Sequence, residues 1–383
     1  MKYEPQHYID CGYEDCGYVS PELSSSEEYP DYIKEEVENS VRKILSHQNF
    51  DTVTFGFMTD IHYALSYNHK IRFRRTMNAY REIAKRVFID KLFLGGDYTN
   101  EGCKEHKTKC FNELRAEFDG VNYFPVHGNH DDGTIWDKFY IENDKDENHL
   151  APSELYKLFY NHIPSKGAQL DKDNPSLYYF VDEPYTKTRY VCLDMNDIPY
   201  IFNDKGILKY RGQHLFTMSQ KQLDWLVNKA LRFDEDGWSV AFVAHCVSRP
   251  SAGVPEEETM VSRLIVFNKI ISAFKSGGVA KASLDDGEIS YNIDVDFKEY
   301  TKADIIGVFV GDYHTDAVEK DDVGIPYILT ANAVMYCTSN PNYVQRYDGD
   351  KTEILFDIVT VDKNKRKIFI TRVGAGEDRI VEY

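Results

Sequence analysis

The sequence of 383 residues lacks the features of several classes of protein. It contains no stretch approaching the ~18 consecutive apolar residues of a membrane-spanning helix, and its start lacks the basic and apolar segments of a signal peptide. Its seven cysteines are an odd number scattered along the chain, which is typical of a reducing compartment. We therefore expect a cytoplasmic protein that has no membrane as a partner.

Basic residues are also scarce relative to acidic ones. The chain has 45 Lys and Arg against 63 Asp and Glu, which gives a formal net charge of -18. Because nucleic-acid binding depends largely on basic side chains that neutralise phosphates, a long nucleic acid is disfavoured as a partner. A small phosphorylated substrate is compatible with this charge if bound metal ions offset it locally. The composition carries no signal for an oligomeric state.

The organisation of the chain is predicted from its apolar patterns. Residues 1–30 are rich in Tyr, Glu, Ser and Pro and read as an extended arm, and Pro30 to His47 has helical spacing of Ile33, Val37, Val41 and Leu45. We divide the chain into residues 1–48, which hold the arm and this helix, and residues 49–383, which form one domain. Polar insertions are predicted near 132–174, over the site, and near 248–300.

Strand and helix patterns alternate in the first half of the chain, and hairpins dominate the second half. This order favours mixed sheets covered by helices, in a layered α/β or α+β domain. Helices are predicted over 71–89, 111–118, 219–231 and 259–274. Strands are predicted over 53–58, 91–94, 123–126, 178–181, 190–193, 240–244, 305–310, 327–330, 354–361 and 367–373.

Five polar clusters follow predicted buried strands directly. In open α/β sheets the carboxyl ends of the strands are where ligand sites are built. One such junction would be an ordinary cap or turn, but five that all carry metal-ligand chemistry predict one shared site. The clusters are Asp60-Ile61-His62, Gly96-Asp97, Gly128-Asn129-His130-Asp131, His245 and Gly311-Asp312-Tyr313-His314.

The residue types in these clusters suit a centre of two metal ions. Carboxylates and imidazoles bind divalent first-row ions, and a carboxylate can bridge two of them. Asn129 adds a neutral amide oxygen. Asp60 and His62 are two residues apart, so on an extended segment their side chains would point to the same side and could chelate one ion.

In this order and spacing, the motifs from Asp60 to His314 resemble the calcineurin-like metallophosphoesterase family. The resemblance implies an αββα core, in which two mixed sheets pack as a sandwich with helices on the outer faces. It places one ion on Asp60, His62, Asp97 and His314, and a second on Asp97, Asn129 and His245.

The mechanism that the resemblance implies is in-line attack on phosphorus by a hydroxide held between the ions. A phosphomonoester or a phosphodiester would be cleaved. His130 would assist the leaving group, and Asp131 would orient His130.

The last motif departs from the family pattern, which commonly has Gly-His-x-His where this chain has Asp312. A carboxylate there adds negative charge and is a harder donor than imidazole, which favours manganese, iron or magnesium over zinc. We expect Asp312 to bind the second ion; as a cap or an outer partner of the ligands it would leave that site weak.

Four further residues are candidates for substrate contact because of their positions near these motifs: Tyr63, His69, Asn100 and Arg249. Packing is the alternative for Tyr63, and a surface ion pair is the alternative for Arg249. A different class of function stays open, namely a non-catalytic or weakly catalytic metal-binding protein in a phage or surface assembly. The Tyr-rich arm and Asp312 favour that alternative, whereas His130 and Asp131 favour an enzyme.

Overall fold

The computed structural model describes residues 28–65, 67–100, 103–134, 149–171, 176–212, 215–252, 260–334 and 344–383. Two large β-sheets pack face to face in this part of the chain, and helices cover their outer faces. The sandwich with outer helices that the motifs imply is therefore confirmed. The predicted arm lies almost entirely outside the described residues.

The first sheet contains six strands: β1 (Thr52–Met58), β2 (Lys91–Leu94), β3 (Tyr123–Pro125), β13 (Leu355–Asp362), β14 (Lys367–Gly374) and β15 (Arg379–Glu382). Their order in the sheet is β15-β14-β13-β1-β2-β3. Strands β1, β2 and β3 are parallel neighbours, so their carboxyl ends meet at one edge. The C-terminal strands add an antiparallel half on the other side of β1.

The second sheet contains seven strands: β4 (Gln169–Leu170), β5 (Tyr179–Glu183), β6 (Thr188–Cys192), β7 (Ser239–Ala244), β10 (Asp304–Val310), β11 (Ala317–Lys320) and β12 (Pro326–Leu329). Their order is β11-β12-β10-β7-β6-β5-β4. Strands β6, β7, β10 and β12 run parallel, which again brings carboxyl ends together. Strands β8 (Val279–Leu284) and β9 (Tyr291–Asp296) form a separate antiparallel hairpin.

Aromatic side chains fill the space between the two sheets. The Phe55 ring of β1 meets the rings of Tyr190 and Phe309 from the second sheet, with centroids 5.3 and 5.2 Å apart. These rings are almost completely buried. Edge-to-face pairs of this kind add to the free energy gained from burying the rings, and they hold the sheets at a fixed separation.

The α-helices of the described residues are α1 (Asp31–His47), α2 (Tyr67–Ala84), α3 (Lys104–Glu117), the single turn α4 (Pro152–Leu155), α5 (Gln220–Trp225) and α6 (Ile265–Ser276). None of them has the length and apolar character that crossing a bilayer requires. Ser219 caps the N-terminus of α5, because its hydroxyl accepts a hydrogen bond from the Gln222 backbone amide at 3.1 Å.

Helix α1 belongs to the same core as the first sheet. Its buried face contains Ile33, Val37, Val41 and Ile44, which join the cluster that also holds β1, β13 and β14. Leu45, which we assigned to this face, is 51% exposed because the helical period places Ile44 there instead. The boundary at residue 48 therefore does not separate two cores.

The described parts of the two predicted insertions contribute residues to the core. In the described part of 132–174, Leu155, Phe159, Tyr160 and Ile163 are buried in the first core cluster. In the described part of 248–300, α6 and the β8–β9 hairpin pack in the cluster on the outer face of the second sheet. The described parts of both segments therefore contribute to the outer layers of the sandwich, and the location of 132–174 over the site stays a prediction.

Candidate metal centre

All five predicted clusters lie at carboxyl ends of neighbouring parallel strands. The segments after β1, β2 and β3 lead from the first sheet, and those after β7 and β10 lead from the second. The two edges face each other because the sheets are packed together. This arrangement brings side chains from widely separated parts of the chain into one buried group.

Asp60, His62, Asp97 and His314 form the first donor set. One ligand atom from each lies within 4.8 Å of all the others. The Nε2 atoms of His62 and His314 are 2.9 Å apart, and His314 Nε2 is 3.1 Å from Asp60 Oδ1. Two imidazoles and two carboxylates that converge in this way fit a divalent first-row ion.

Asp97, Asn129, His245 and Asp312 form the second donor set. His245 Nε2 lies 2.9 Å from Asn129 Oδ1, 3.3 Å from Asp97 Oδ1 and 3.5 Å from Asp312 Oδ1. The other ring nitrogen of His245, Nδ1, is 2.7 Å from the Gly95 carbonyl. If Nδ1 carries the proton, Nε2 presents its lone pair to the donor set, which is the usual arrangement for a ligating histidine.

Asp97 is shared by the two donor sets. Its Oδ1 faces His245, whereas its Oδ2 is 3.7 Å from His62 Nε2. The two oxygens of one carboxylate therefore face different donor sets, as a carboxylate that bridges two metal ions requires. The donor chemistry and this sharing fit a binuclear centre.

Left-handed backbone is concentrated at this centre. Seven non-glycine residues among those described have positive φ, and five of them belong to the two donor sets. Such conformations are costly and persist where surrounding structure enforces them, so they point to a functional site. The five donor residues with positive φ are Asp60 (52°), His62 (45°), Asp97 (52°), Asp312 (63°) and His314 (51°). The extended segment that we assumed for Asp60 and His62 is therefore wrong, although their side chains do converge.

Close packing of backbone explains the glycine before Asn129. A Cβ on Gly128 would lie 2.1 Å from the Asp97 amide nitrogen and 2.4 Å from Asp97 Oδ1. The segment after β3 can approach the shared carboxylate only because residue 128 has no side chain.

The charges within the centre perturb one another strongly. Burial holds the pKa of His62 well below its usual range, which keeps the imidazole neutral, as a metal ligand must be. Burial also raises the pKa of Asp312; the charge of His245 opposes this effect, and the charges of Asp97 and Asp60 add to it. Several carboxylates in one desolvated place are unfavourable without cations, so the centre is electrostatically suited to bind them.

His130 lies beside the donor sets. Its Nε2 is 3.9 Å from Asp97 Oδ2, and its ring meets the His62 ring edge to face with centroids 5.1 Å apart. The side chain keeps 18% of its surface exposed, in contrast to the fully buried His245. A histidine in this position can reach both the centre and a molecule that enters from solvent.

Asp131 contacts the backbone of two segments of the centre. Its carboxylate accepts hydrogen bonds from the backbone amides of Tyr98 at 2.8 Å, Gly128 at 2.9 Å and Asp97 at 3.2 Å. Burial, with the charge of Asp97, raises the pKa of Asp131 to about 6. These bonds join the segment after β2 to the segment after β3, so Asp131 shapes the backbone of the centre, and its orientation of the His130 ring stays a prediction.

Two of the four substrate-contact candidates are engaged elsewhere. The Tyr63 hydroxyl donates to Glu113 on α3 at 2.7 Å and the residue is buried, which matches the packing alternative. Arg249 pairs through Nε and Nη2 with Glu319, with a distance of 2.7 Å from Nε, and this matches the ion-pair alternative.

The other two candidates differ from each other. His69 lies in the first turn of α2, outside both donor sets, and burial together with the charge of Arg72 lowers its pKa to about 4. Asn100 is buried beside the centre, and neither polar atom of its side chain has a hydrogen-bond partner among the described residues. An unpartnered buried amide is costly, so Asn100 is the candidate that retains capacity to bind a ligand.

Two important contacts were missed by the sequence analysis. Lys107 is buried, and its ammonium group donates to the Asn100 and His130 carbonyls and to the Thr99 hydroxyl. His127 Nδ1 lies 3.0 Å from Asp194 Oδ1, which joins the end of β3 to the end of β6. Asp194 follows a buried strand like the other five clusters, so the same pattern could have identified it.

Comparisons with known proteins agree with this geometry. The chain matches the model of calcineurin-like phosphoesterases over residues 53–271, and no curated protein sequence matches it. A dimetal phosphatase from Danio rerio has the same fold, with a TM-score of 0.53 and 15% identity over 86% of this chain and 99% of that chain.

Two further solved structures align with lower TM-scores. The NAD nucleotidase of Haemophilus influenzae gives a TM-score of 0.38 and 12% identity, over 87% of this chain and 53% of that chain. The phosphopantetheinyl hydrolase of Mycobacterium tuberculosis gives 0.34 and 12%, over 74% and 91%. The family match covers more than half of the sequence and includes most of the donor residues. The chain belongs to the calcineurin-like phosphoesterase family and is, at that level, a metal-dependent phosphoester hydrolase.

Proposed function

We propose that this protein hydrolyses a small phosphomonoester or phosphodiester at a centre of two divalent metal ions. The observation that carries the proposal is the shared Asp97 carboxylate, whose two oxygens face different donor sets. The first donor set would hold one ion, and the second donor set, including Asp312, would hold the other. Bound there, the ions would act as Lewis acids on the phosphoryl oxygens and lower the pKa of the attacking water.

His130 is the residue that assists the leaving group. Its Nε2 lies close to Asp97 while the side chain remains partly exposed, so it can reach an ester oxygen on the solvent side. A hydrogen bond or proton donated from Nε2 would stabilise the charge that develops on this oxygen as the ester bond breaks. Lys107 and Asp131 support this role by fixing the backbone around residue 130.

The second donor set favours manganese or iron over zinc. Asp312 supplies a carboxylate where the family commonly has histidine, and hard oxygen donors suit these ions better than they suit zinc. Three carboxylates against two divalent ions leave little excess positive charge, so Asn100 and other polar groups near the centre would contribute to substrate affinity. The net charge of -18 supports a small substrate over a long nucleic acid, and the scattered cysteines support a cytoplasmic location.

Turnover of p-nitrophenyl phosphate and of bis-p-nitrophenyl phosphate, each with manganese, iron, zinc or magnesium, tests the proposal. We expect metal-dependent turnover that Asp97→Asn abolishes and that His130→Ala lowers by roughly a hundredfold. His162→Ala is a matched control, because this histidine lies beside Tyr123 at the opposite end of β3 and should leave turnover unchanged. Two ions bound per chain without turnover of either ester would contradict hydrolysis of these substrates and favour a metal-binding role in an assembly.

A further inference from the structure

Arg372 is a buried charge that the proposed chemistry does not use. It lies on β14, and its side chain is only 1% exposed. The guanidinium donates through Nη1 and Nη2 to the two carboxylate oxygens of Asp316, both at 2.7 Å, and through Nε to Asp357 Oδ1 at 2.8 Å. The bidentate pair with Asp316 fixes the orientation of the guanidinium as well as its distance from the carboxylate.

The partner Asp316 lies two residues after His314, in the segment that leads from the end of β10 to β11. Its Oδ1 also accepts a hydrogen bond from the Ala331 amide at 3.0 Å, just beyond β12. Asp316 therefore connects the segment that carries Asp312 and His314 to both sheets.

The turn after β14 is built around this contact. Gly376 has φ of +97°, and a Cβ on it would lie 2.3 Å from Arg372 Nη1 and 3.0 Å from Asp316 Oδ2. A side chain at this position would strain the backbone and collide with the ion pair. Both the backbone conformation and the ion pair therefore require glycine at position 376.

Burying an ion pair costs desolvation free energy, so the presence of this pair is weak evidence for a contribution to stability. The adjoining strands β13 and β14 are already joined along their whole length by eight residue pairs. Asp357 provides Arg372 with a second carboxylate on the neighbouring strand, whereas Asp316 connects it to the ligand segment. The Arg372–Asp316 contact is thus the one that connects β14 to the segment carrying Asp312 and His314.

We propose that Arg372 is a positioning residue for the metal centre. Through its bidentate pair with Asp316 it holds the segment 311–316 so that His314 completes the first donor set and Asp312 completes the second. The inference rests on the proposed metal centre but not on the identity of the ester. Residues that orient metal ligands from outside typically change metal affinity about 10–100-fold when they are replaced.

Asp316→Asn tests this role, because it removes the charge and leaves a side chain of nearly the same shape. Asp357→Asn is the matched control, since it removes the other carboxylate that contacts Arg372. Manganese affinity and stoichiometry are measured by titration calorimetry, and thermal unfolding is recorded on the same metal-free samples. We expect Asp316→Asn to weaken manganese binding by about tenfold or more, whereas Asp357→Asn lowers the melting temperature but keeps affinity within about threefold of the parent.

Manganese affinity at the parent level in Asp316→Asn would overturn the proposal. Equal losses of affinity in both variants, in proportion to their losses of stability, would also overturn it. Arg372→Lys gives an independent measurement that retains the positive charge but loses the bidentate fork; we expect roughly threefold to tenfold weaker binding, and unchanged affinity would contradict the role. Metal binding is measured without an ester, so a chain that binds two ions but hydrolyses neither test ester would overturn the proposed function and leave this test intact.

Discussion

The two donor sets are built by different means. In the first donor set all four residues have left-handed backbone, so the chain itself is constrained where each ligand leaves it. In the second donor set only Asp97 and Asp312 have that conformation, and the side chains of His245 and Asn129 are held by direct contact with each other. The backbone therefore constrains the first donor set more than the second. Differences in metal preference should therefore arise mainly at the second donor set.

Gly128→Ala should disrupt both donor sets, although it replaces no ligand. The new Cβ would collide with the Asp97 amide and with Oδ1, so the shared carboxylate must move. Displacement of a catalytic group by about 1 Å can cost about a hundredfold in rate, and here both ions depend on the displaced group. We expect loss of at least one bound ion by metal analysis and turnover lowered by about a hundredfold or more.

Gly278→Ala serves as the control for the change of residue type. Gly278 lies outside the centre, where the nearest atom to an added Cβ is Ser276 Oγ at 3.2 Å. Two ions bound in Gly128→Ala, with turnover equal to that of the control, would show that the Asp97 segment can move without consequence.

Asp312→His should alter metal preference at the second donor set alone, because Asp312 belongs only to that set. An imidazole replaces a carboxylate, which removes one negative charge and provides a softer donor. We expect the ratio of zinc to manganese affinity at the weaker site to rise about tenfold, while the tighter site keeps its preference. Competitive titration of the two metals measures both ratios, and an equal change at both sites would contradict the independence of the donor sets.

Lys107→Met should affect catalysis more than metal binding. Lys107 holds the carbonyls of Asn100 and His130 but belongs to neither donor set. Without its ammonium group we expect kcat to fall by roughly tenfold and manganese affinity to change by less than about threefold. Steady-state kinetics at saturating metal, together with calorimetry, separate the two effects; a loss of both ions would instead assign Lys107 to the integrity of the whole centre.

The donor residues could be predicted because their signal is local. A buried strand followed by a ligand type is visible within a few residues, and parallel strands bring such ends together. The same signal marked Asp194, which we overlooked because it stands alone after β6 without a histidine or glycine beside it.

Contacts between distant segments could not be predicted in this way. Arg372 and Asp316 are 56 positions apart, and neither position has an apolar pattern that indicates a partner. The side to which the Tyr63 side chain points could not be predicted from the local sequence either. The left-handed backbone of His62, just before it, interrupts the alternation of side chains that an extended strand would have. The burial of Leu155 and Phe159, in contrast, could have been predicted, because their spacing of four residues is typical of the buried face of a helix despite the acidic composition around them.

Asp197, which lies outside the donor sets, can be compared with Asp312, which belongs to the second donor set. Burial raises the pKa of both carboxyl groups, but only Asp312 lies where a metal ion would offset the cost of its charge. Although the Asp197 residue is only half-buried, its carboxylate accepts hydrogen bonds from Ser219 and Gln222. Burial, with the nearby charge of Asp194, raises the pKa of Asp197 to about 6.

A carboxyl group whose pKa is raised in the folded state destabilises the fold once it ionises. The favourable contribution of protonated Asp197 is fully present below its unfolded pKa of about 4 and is lost as the pH rises through about 6. Asp197→Asn keeps an acceptor for Ser219 and Gln222 without the charge, so we expect it to raise the melting temperature by a few degrees at pH 8 and to have little effect at pH 4. Calorimetric melts of the metal-free protein at both pH values measure this difference. A gain that is equal at the two pH values would mean that ionisation of Asp197 does not limit stability, and the contrast with Asp312 would then depend on geometry alone.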